Sequence, residues 1–183
     1  MHKDLSLSIN IWLIVLATIV LSMIGVGGLT RLTESGLSMV DWQLFVGIIP
    51  PLSQADWIKL FDDYKQYPEF KIKNINMGLD EFKYIFWWEY GHRVLGRIIG
   101  LVFIIPFVYF ALKRCFSKTE YKFYFILFFL GGFQGFIGWW MVKSGLDMNP
   151  YVSHFRLAVH LIIAQIILAL IFFQLLDRNI KEQ

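Results

Sequence analysis

Two of the four histidines in the sequence stand where they could bind a metal. His92 and His160 each lie within about a turn of the start of a long apolar run, whereas His2 is near the amino terminus and His154 is in a polar stretch. Ionisable side chains within membrane spans are costly and are functional candidates. Two facing histidines in a helical bundle can hold a haem iron from both sides. The alternative is a pair of interfacial histidines bonded to backbone or lipid headgroups.

Glu89 lies three residues before His92, so on a helix the two side chains share a face, roughly 5–6 Å apart at Cβ. A carboxylate at this place could orient a metal-bound imidazole. It could equally accept a proton or stabilise charge during a reaction on a bound ligand. Di-iron bundles need two Glu-x-x-His pairs and further glutamates, and this sequence has one such pair beside an apolar run. A solvated interfacial carboxylate is the remaining alternative.

Basic residues cluster at the same depth as these histidines. Haem propionates need charge-assisted partners, so these side chains are candidates to bind them, and contact with lipid headgroups is the alternative. The candidates are Arg31, Arg93, Arg97 and Arg156. The single cysteine, Cys115, excludes a disulfide within the chain and a cysteine-only metal site. The net charge of +3 does not indicate a nucleic-acid partner.

The elements that must position these residues are four apolar runs. The chain is 57% hydrophobic and 17% charged, against about 45–50% and about 25% for soluble domains. The runs cover about 9–26, 94–112, 123–142 and 157–176, and each is about 18–20 residues, long enough to cross a bilayer as a helix. The sequence therefore predicts an all-α membrane protein, with residues 1–183 forming one four-helix transmembrane domain.

The connections between the runs predict an orientation. The second connection is flanked by basic residues, which favours the cytoplasmic side for it and for both termini. These basic residues are Lys113, Arg114, Lys118 and Lys122. The long loop 27–91 then faces the other side. Within it, Asp56 to Tyr64 carries apolar residues at helical spacing and predicts a short amphipathic helix, so the loop is partly helical.

Two further patterns concern helix packing and internal repetition. Gly96 with Gly100, and Gly131 with Gly135, form Gly-x-x-x-Gly pairs that predict close helix contacts. The stretch SGLSM at 35–39 returns as SGLDM at 144–148, each copy preceding a run with a histidine near its start. This echo raises the hypothesis that the chain consists of two related helical hairpins.

Several stretches resemble the haem A synthase family, closest to its mitochondrial and proteobacterial type, which lacks a cysteine pair in the first external loop. The match covers roughly residues 20 to 165. Its motifs are GGLTRLTESGLSM at 27–39, Trp42, Gly47, Pro50-Pro51, YPE at 67–69, EFK at 81–83, FWWEY at 86–90, HRVLGR at 92–97, QGFIGWWMVKSGL at 134–146 and RLAVHL at 156–161.

This resemblance implies an enzyme of eight spans in two four-helix halves, which oxidises the C8 methyl of haem O to the formyl of haem A for cytochrome c oxidase. His92 and His160 correspond to the axial ligands of the substrate haem O, and Glu89 corresponds to the family's essential carboxylate. The carboxy-terminal half of such enzymes holds a haem b cofactor. With four spans, the chain is expected to be the substrate-haem-binding half, either as a fragment of a longer gene product or as a chain that works with a separate second four-helix half.

The resemblance also implies a location and partners. An integral protein of the bacterial or mitochondrial inner membrane is expected, in contact with membrane lipid, with both termini on the cytoplasmic or matrix side. Haem O synthase and oxidase assembly factors are further expected partners. Two alternative functions remain open: a non-catalytic haem-binding factor in oxidase assembly, and a small membrane b-type electron carrier. The second alternative is ranked last, because such carriers use two histidine pairs.

Overall fold

The computed structural model of the chain describes residues 2–41, 47–147 and 149–181. Those residues form six helices and no strand: α1 (His2–Leu32), α2 (Gln54–Tyr64), α3 (Pro68–Ile72), α4 (Leu79–Leu112), α5 (Lys118–Leu146) and α6 (His154–Lys181). α1, α4, α5 and α6 are long and apolar enough to cross a membrane. The predicted all-α membrane bundle, with a partly helical segment between its first two spans, is confirmed. Trp42 and Met148, which belong to the sequence motifs, lie outside the described residues.

The helices continue beyond the apolar runs that predicted them. Residues 27–32 complete α1 and residues 79–91 open α4, so the segment between these two helices covers 33–78. The predicted external loop 27–91 includes these helix ends, and its place outside the membrane stays a prediction. A run of apolar residues indicates the part of a helix that lies in the bilayer. The ends of the helix are set by capping, which satisfies the free backbone amides of its first turn. At the start of α4, for example, the Glu81 carboxylate accepts the Gly78 amide at 2.8 Å. Glu89 and His92 are therefore interior residues of a helix.

α1 is the central helix of the bundle. It packs against α4 on one side and α6 on the other, α5 packs against α6, and α4 meets α5 over a smaller area. Correspondingly, 39% of the apolar window of α1 is buried, against 11–17% for the other spans. The haem-ligand candidates lie on α4 and α6, the two helices that α1 separates.

A proline in α4 creates a bond between α1 and α4. Pro106 has no N–H, so the carbonyl of Val102, four residues earlier, loses its helical donor. The Trp12 indole of α1 donates to that carbonyl at 2.8 Å. Trp12 is buried among aromatic rings, which come from Phe103, Phe110, Phe116 and Tyr124. The unpaired carbonyl thus becomes a fixed contact between two spans.

A polar clamp fastens α1, α5 and α6 at the same end. Arg178 of α6 pairs with Glu120 of α5, and it also donates to Asn10 at 3.0 Å and Ser6 at 2.9 Å, both on α1. Asn10 in turn donates to Asn179 at 3.3 Å. We call this end, with the Trp12 cluster and the Arg178 clamp, the closed end.

The opposite end of the bundle is covered by the described part of segment 33–78, which we call the cap. α2 begins at a capping box in which Ser53 and Asp56 bond reciprocally. The predicted amphipathic helix over 56–64 is thus confirmed as α2. Apolar residues of α2 pack on the first turns of α4 in one cluster, whose buried members are Phe61, Tyr64, Phe82, Ile85 and Phe86. The cap is therefore a folded cover rather than a linker.

The glycines of the two Gly-x-x-x-Gly pairs do not all lie at close helix contacts, as the sequence predicted. A Cβ on Gly96 would meet Met23 of α1 at 3.4 Å, but a Cβ on Gly100, Gly131 or Gly135 would have nothing within 4 Å. The prediction of close helix contact is therefore wrong for these three glycines. The physical reason is that α4 and α5 touch lower down through large side chains, such as the stacked rings of Phe103 and Phe128, whose centroids are 6.2 Å apart.

The two copies of the short sequence echo lie against each other. Gly145 of the second copy faces Leu37 of the first, and a Cβ on Gly145 would stand 2.7 Å from Leu37 Cδ1. Leu37 is 3% exposed. Leu37 therefore fits into the space that a glycine leaves at the end of α5, which joins the cap to that helix. The hypothesis of two related hairpins stays a prediction.

Candidate functional site

His92 lies in the interior of α4, next to a glycine of α1. A Cβ on Gly27 would stand 3.2 Å from His92 Nε2, whereas a Cβ on the neighbouring Gly28 would meet nothing within 4 Å. The imidazole therefore lies close to the α1 backbone, and a side chain at position 27 would require the ring to shift by a few tenths of an ångström.

His160 of α6 has a similar arrangement with α5. A Cβ on Gly138 would stand 3.1 Å from His160 Cε1. Gln134, one turn earlier on α5, donates its amide to the His160 backbone carbonyl at 3.0 Å, and its Nε2 lies 3.5 Å from His160 Nε2. Two buried atoms, His160 Nδ1 and Gln134 Oε1, have no hydrogen-bond partner in the described part of the chain. Such atoms are the donors and acceptors a ligand could use.

The two imidazoles border the same space. They are near enough to interact electrostatically. Further along the same helices, Gly100 on α4 and two glycines of α5, Gly131 and Gly135, are exposed, and a Cβ on any of them would meet nothing within 4 Å. The Phe103–Phe128 contact closes this space toward the closed end. We call this region, with an imidazole from each of two helices and the exposed glycines of α4 and α5 beside them, the slot.

The donor set in this slot fits a planar metal complex better than a bare ion. In the described residues there is no group of three or more histidine, cysteine or acidic side chains that could hold a metal. Two imidazoles supply two coordination positions, and a metal held by protein alone normally needs more. A porphyrin supplies four positions in a plane and leaves two axial ones for histidines. The slot and its two imidazoles therefore fit a haem.

Glu89 is buried at the junction of α4 and the cap, where it is 3% exposed. Its Oε2 accepts hydrogen bonds from the Ser38 hydroxyl and the Met39 amide, both at 2.7 Å. Its Oε1 accepts from Arg93 Nη2 at 2.5 Å. Three donors thus hold the carboxylate in one orientation, one turn of α4 before His92. Such an arrangement can place a negative charge beside a ligand without further rearrangement.

The four arginine candidates have different surroundings. Besides Glu89, the Arg93 guanidinium donates to the carbonyls of Met39 at 2.8 Å and Asp41 at 3.1 Å, so it is used in holding the cap. Arg156 donates to the Trp140 carbonyl at 2.7 Å and lies over the Trp140 ring, 4.4 Å from its centroid. Arg97 is half-buried one turn after Arg93 on α4, and Arg31 is exposed in the last turn of α1.

The structure adds site residues that sequence reasoning did not single out. Ser38 and Met39 bind the carboxylate of Glu89, Gln134 binds at His160, and Gly27 and Gly138 make room for the imidazoles. All five lie within the motif stretches given above, and membership of these motifs is the sequence feature that could have identified them. Their residue types carry no titratable group, and sequence spacing does not tell which face of one helix meets a histidine of another.

Comparisons with known proteins give the family. A family model described as cytochrome oxidase assembly protein matches residues 10–183. The haem A synthase of Azorhizobium caulinodans is 53% identical over 164 residues, which cover 90% of this chain and 47% of that protein. The haem A synthase of Nitrosospira multiformis is 53% identical over 169 residues, covering 92% and 48%. That of Pelagibacter ubique is 52% identical over 172 residues, covering 92% and 50%.

The chain thus spans about half the length of the curated relatives it matches. No solved structure matches it. The match to the family model covers nearly all of the chain, including both slot histidines and Glu89. The chain therefore belongs to the family of cytochrome oxidase assembly proteins that includes these haem A synthases.

Proposed function

We propose that the chain binds haem O between His92 and His160, and that it is the substrate half of an enzyme that oxidises the C8 methyl of haem O to the formyl of haem A. The observation that carries the proposal is the slot, in which an imidazole from α4 and one from α6 each lie against a glycine of a neighbouring helix. Family membership supplies the reaction class, because the relatives are haem A synthases.

The slot residues have separate tasks in binding. His92 and His160 are the axial ligands, and the backbone at Gly27 and Gly138 limits the tilt of each ring. Gln134 fixes the α6 backbone at His160 through its amide and leaves its Oε1 available in the slot. Arg31, Arg93, Arg97 and Arg156 are the proposed propionate partners, and of these Arg93 and Arg156 also bind backbone carbonyls of the chain.

Glu89 is the proposed catalytic carboxylate. Oxidation of a methyl group to a formyl group withdraws electrons from that carbon and releases protons, so a fixed negative charge nearby stabilises the developing positive charge or receives a proton. Ser38, Met39 and Arg93 keep this carboxylate oriented while the reaction proceeds. The bound haem is the substrate and supplies the carbon that is oxidised.

The rest of the proposed system follows from family membership. The second four-helix half carries the haem b cofactor, and haem O synthase delivers the substrate. We place the protein in a bacterial or mitochondrial inner membrane, with both termini on the cytoplasmic or matrix side and the cap on the other side. The basic connection 113–122 supports this orientation.

The test of the site is haem binding by single variants. The chain is expressed with a supply of haem O, purified in detergent, and its Soret spectrum and low-spin ferric signal are recorded. His92→Ala and His160→Ala should each lower haem content at least tenfold, and the exposed His154→Ala should not. Gly27→Val should also exclude haem, while Gly28→Val, with open space around it, should bind normally. Normal haem binding in both histidine variants would refute the site.

A second candidate function is haem O binding without conversion, in oxidase assembly. It is favoured by one observation: Ser38 and Met39 of the cap both donate to Glu89 of α4, so this residue also has a structural role in holding the cap. Extraction of the bound pigment separates the two functions. Haem A in the extract, absent from a Glu89→Gln variant that still binds haem, supports the enzyme, and unchanged haem O supports the binder.

A further inference from the structure

A short part of the cap presents aliphatic side chains on the surface. This part is residues 47–52, which lead into α2 and which we call the apolar loop. Ile49 and Leu52 are 74% and 81% exposed, and the Ile48 side chain is half-exposed. Single exposed aliphatic residues are ordinary on a protein surface, but three among five consecutive residues form an apolar patch that indicates an interaction.

The distribution of charge separates the apolar loop from the rest of the cap. The sequence has no charged residue between Asp41 and Asp56, whereas eight of the eighteen residues 56–73 are charged. Charged side chains are costly in an apolar layer and favourable in water. The composition of the cap therefore changes from an uncharged part, which contains the loop, to a part suited to water.

The apolar loop is fixed to the side of α4 at two places. The Tyr90 hydroxyl of α4 donates to the Ile48 carbonyl at 2.5 Å. In the first turn of α2, the Trp57 ring contacts the rings of Phe86 and Trp87, with centroids 5.0 and 5.8 Å apart. The loop between these two contacts therefore lies beside residues 86–90 of α4.

The face of α4 at this contact continues into the membrane-spanning part of the helix. The Trp87 side chain is about half-exposed, and the exposed residues Ile98, Leu101 and Ile105 follow it by eleven, fourteen and eighteen positions. At 3.6 residues per turn, these spacings return to one face of the helix. The apolar loop therefore adjoins the outer end of the surface that α4 presents to lipid.

The depth of the contact corresponds to the headgroup layer of a bilayer. At a rise of 1.5 Å per residue, Tyr90 is about 6 Å and Trp87 about 10 Å outside Val94, where the apolar run begins. The headgroup region adds about 5–8 Å on each side of the hydrocarbon core, and tyrosine and tryptophan are enriched there. Pro50 and Pro51 have no backbone N–H, so the loop brings fewer unpaired donors into this layer.

We propose that the apolar loop anchors the cap in the membrane, with Ile49 and Leu52 inserted between lipid headgroups beside α4. Lipid is the occupant rather than another protein, because the loop continues the lipid-facing surface of α4 and meets it at headgroup depth. Apolar side chains at this depth bury about 5–10 Å into the boundary between headgroups and acyl chains. The anchor concerns the surface of the cap and is independent of haem binding.

The test is the accessibility of nitroxide labels to two relaxing agents, oxygen, which enters lipid, and a nickel chelate, which stays in water. The chain with Cys115→Ser is placed in nanodiscs of phosphatidylcholine and phosphatidylglycerol, without haem. Ile49→Cys and Leu52→Cys are labelled one at a time, so that each position tests the anchor independently. Power saturation of the spectra gives the oxygen-to-chelate accessibility ratio at each label.

Two further labelled positions calibrate this ratio. Leu101→Cys is exposed within the apolar run of α4 and reports lipid. Gln66→Cys is exposed just after α2 and reports water, because the neighbouring Tyr64 ring contacts Phe82, which is about 18 Å outside Val94.

The ratios at positions 49 and 52 should exceed that at position 66 by about threefold or more and remain below that at position 101. Ratios equal to that at position 66 would overturn the proposal, because the loop would then lie in water. Low accessibility to both agents would also overturn it, because a protein partner would then cover the loop. Failure of haem binding would contradict the proposed function and leave these ratios unchanged.

Discussion

The two ends of the bundle are built on opposite principles. At the closed end, large rings fill the space between helices, and Arg178 fastens three helices together. At the cap end, glycines face the two histidine side chains in place of large residues. Two carboxyls, Glu69 and Glu89, are buried there. α1 takes part in both, with Trp12 in the aromatic cluster and Gly27 against His92. The difference shows that the Trp12 cluster and the Arg178 clamp lie at one end of the bundle, whereas the slot histidines and their glycine neighbours lie at the other.

This separation has a physical reason. A slot that accepts a ligand lacks side chains to pack, so it contributes little burial energy before the ligand is bound. The bundle therefore needs its fixed contacts elsewhere. The difference between the two ends can be tested by substitutions at each of them.

The largest effect is expected at the closed end from Arg178→Leu. The change leaves Glu120 partly buried without its cation and removes the bonds to Asn10 and Ser6, so it should destabilise the bundle by about 3–5 kcal/mol. The measurement is denaturant unfolding in detergent followed by circular dichroism. The control is Lys122→Leu, which removes an exposed cation in the same turn of α5 as Glu120. Equal stability of the two variants would contradict the stabilising role of this end.

A smaller effect is expected from Trp12→Phe. The ring is retained, but the Val102 carbonyl loses its donor inside an apolar environment, which should cost about 1–3 kcal/mol. Unfolding should become easier while haem content stays unchanged, because phenylalanine keeps an aromatic ring against Phe103, the residue at the lower boundary of the slot. Adding Pro106→Ala to this variant returns a helical N–H donor to the Val102 carbonyl. Restored stability in the double variant would show that the loss comes from this unpaired carbonyl. A loss of haem in Trp12→Phe would show that the ends are coupled.

The smallest global effect is expected at the cap end from Gly145→Ala. The new Cβ would stand 2.7 Å from Leu37, so Leu37 must shift, but alanine favours the helix by about 1 kcal/mol over glycine and offsets much of that cost. The overall stability should therefore change by less than about 1 kcal/mol. Faster hydrogen exchange is expected at 35–41, which includes the Ser38 and Met39 donors to Glu89. Gly132→Ala, in open space, should leave exchange there unchanged.

Much of the fold was predictable because composition reports on the bilayer directly. Four apolar runs gave the spans, and the helical spacing at 56–64 gave α2. Helix ends were not predictable in the same way, because they depend on capping bonds such as the one from Gly78 to Glu81. The glycine pairs show a related limit, since a small residue allows close contact without causing it, and the sequence does not tell where α4 and α5 diverge.

The candidate site was predictable in its titratable residues and much less in their partners. His92, His160 and Glu89 stood out because charged or metal-binding groups are rare within apolar runs. Two of the three donors to Glu89, Ser38 and Met39, lie 51 and 50 residues away along the chain. The Glu69 carboxyl lies in the cap, where the sequence alone does not show that an acidic side chain is buried. These contacts depend on how the cap folds onto α4, which local sequence patterns do not report.

The Arg178 clamp also bears on the order in which the protein is made. Arg178 lies 172 residues after Ser6, and Val102, whose carbonyl accepts the Trp12 indole, lies 90 residues after Trp12. At a synthesis rate of about 5–20 residues per second, α1 stays in the bilayer on the order of ten to thirty seconds before its polar contacts with α6 can form. During this interval Asn10 faces lipid or a chaperone. A ribosome that stalls before Arg178 therefore leaves Asn10 and Ser6 of α1 without their partner on α6.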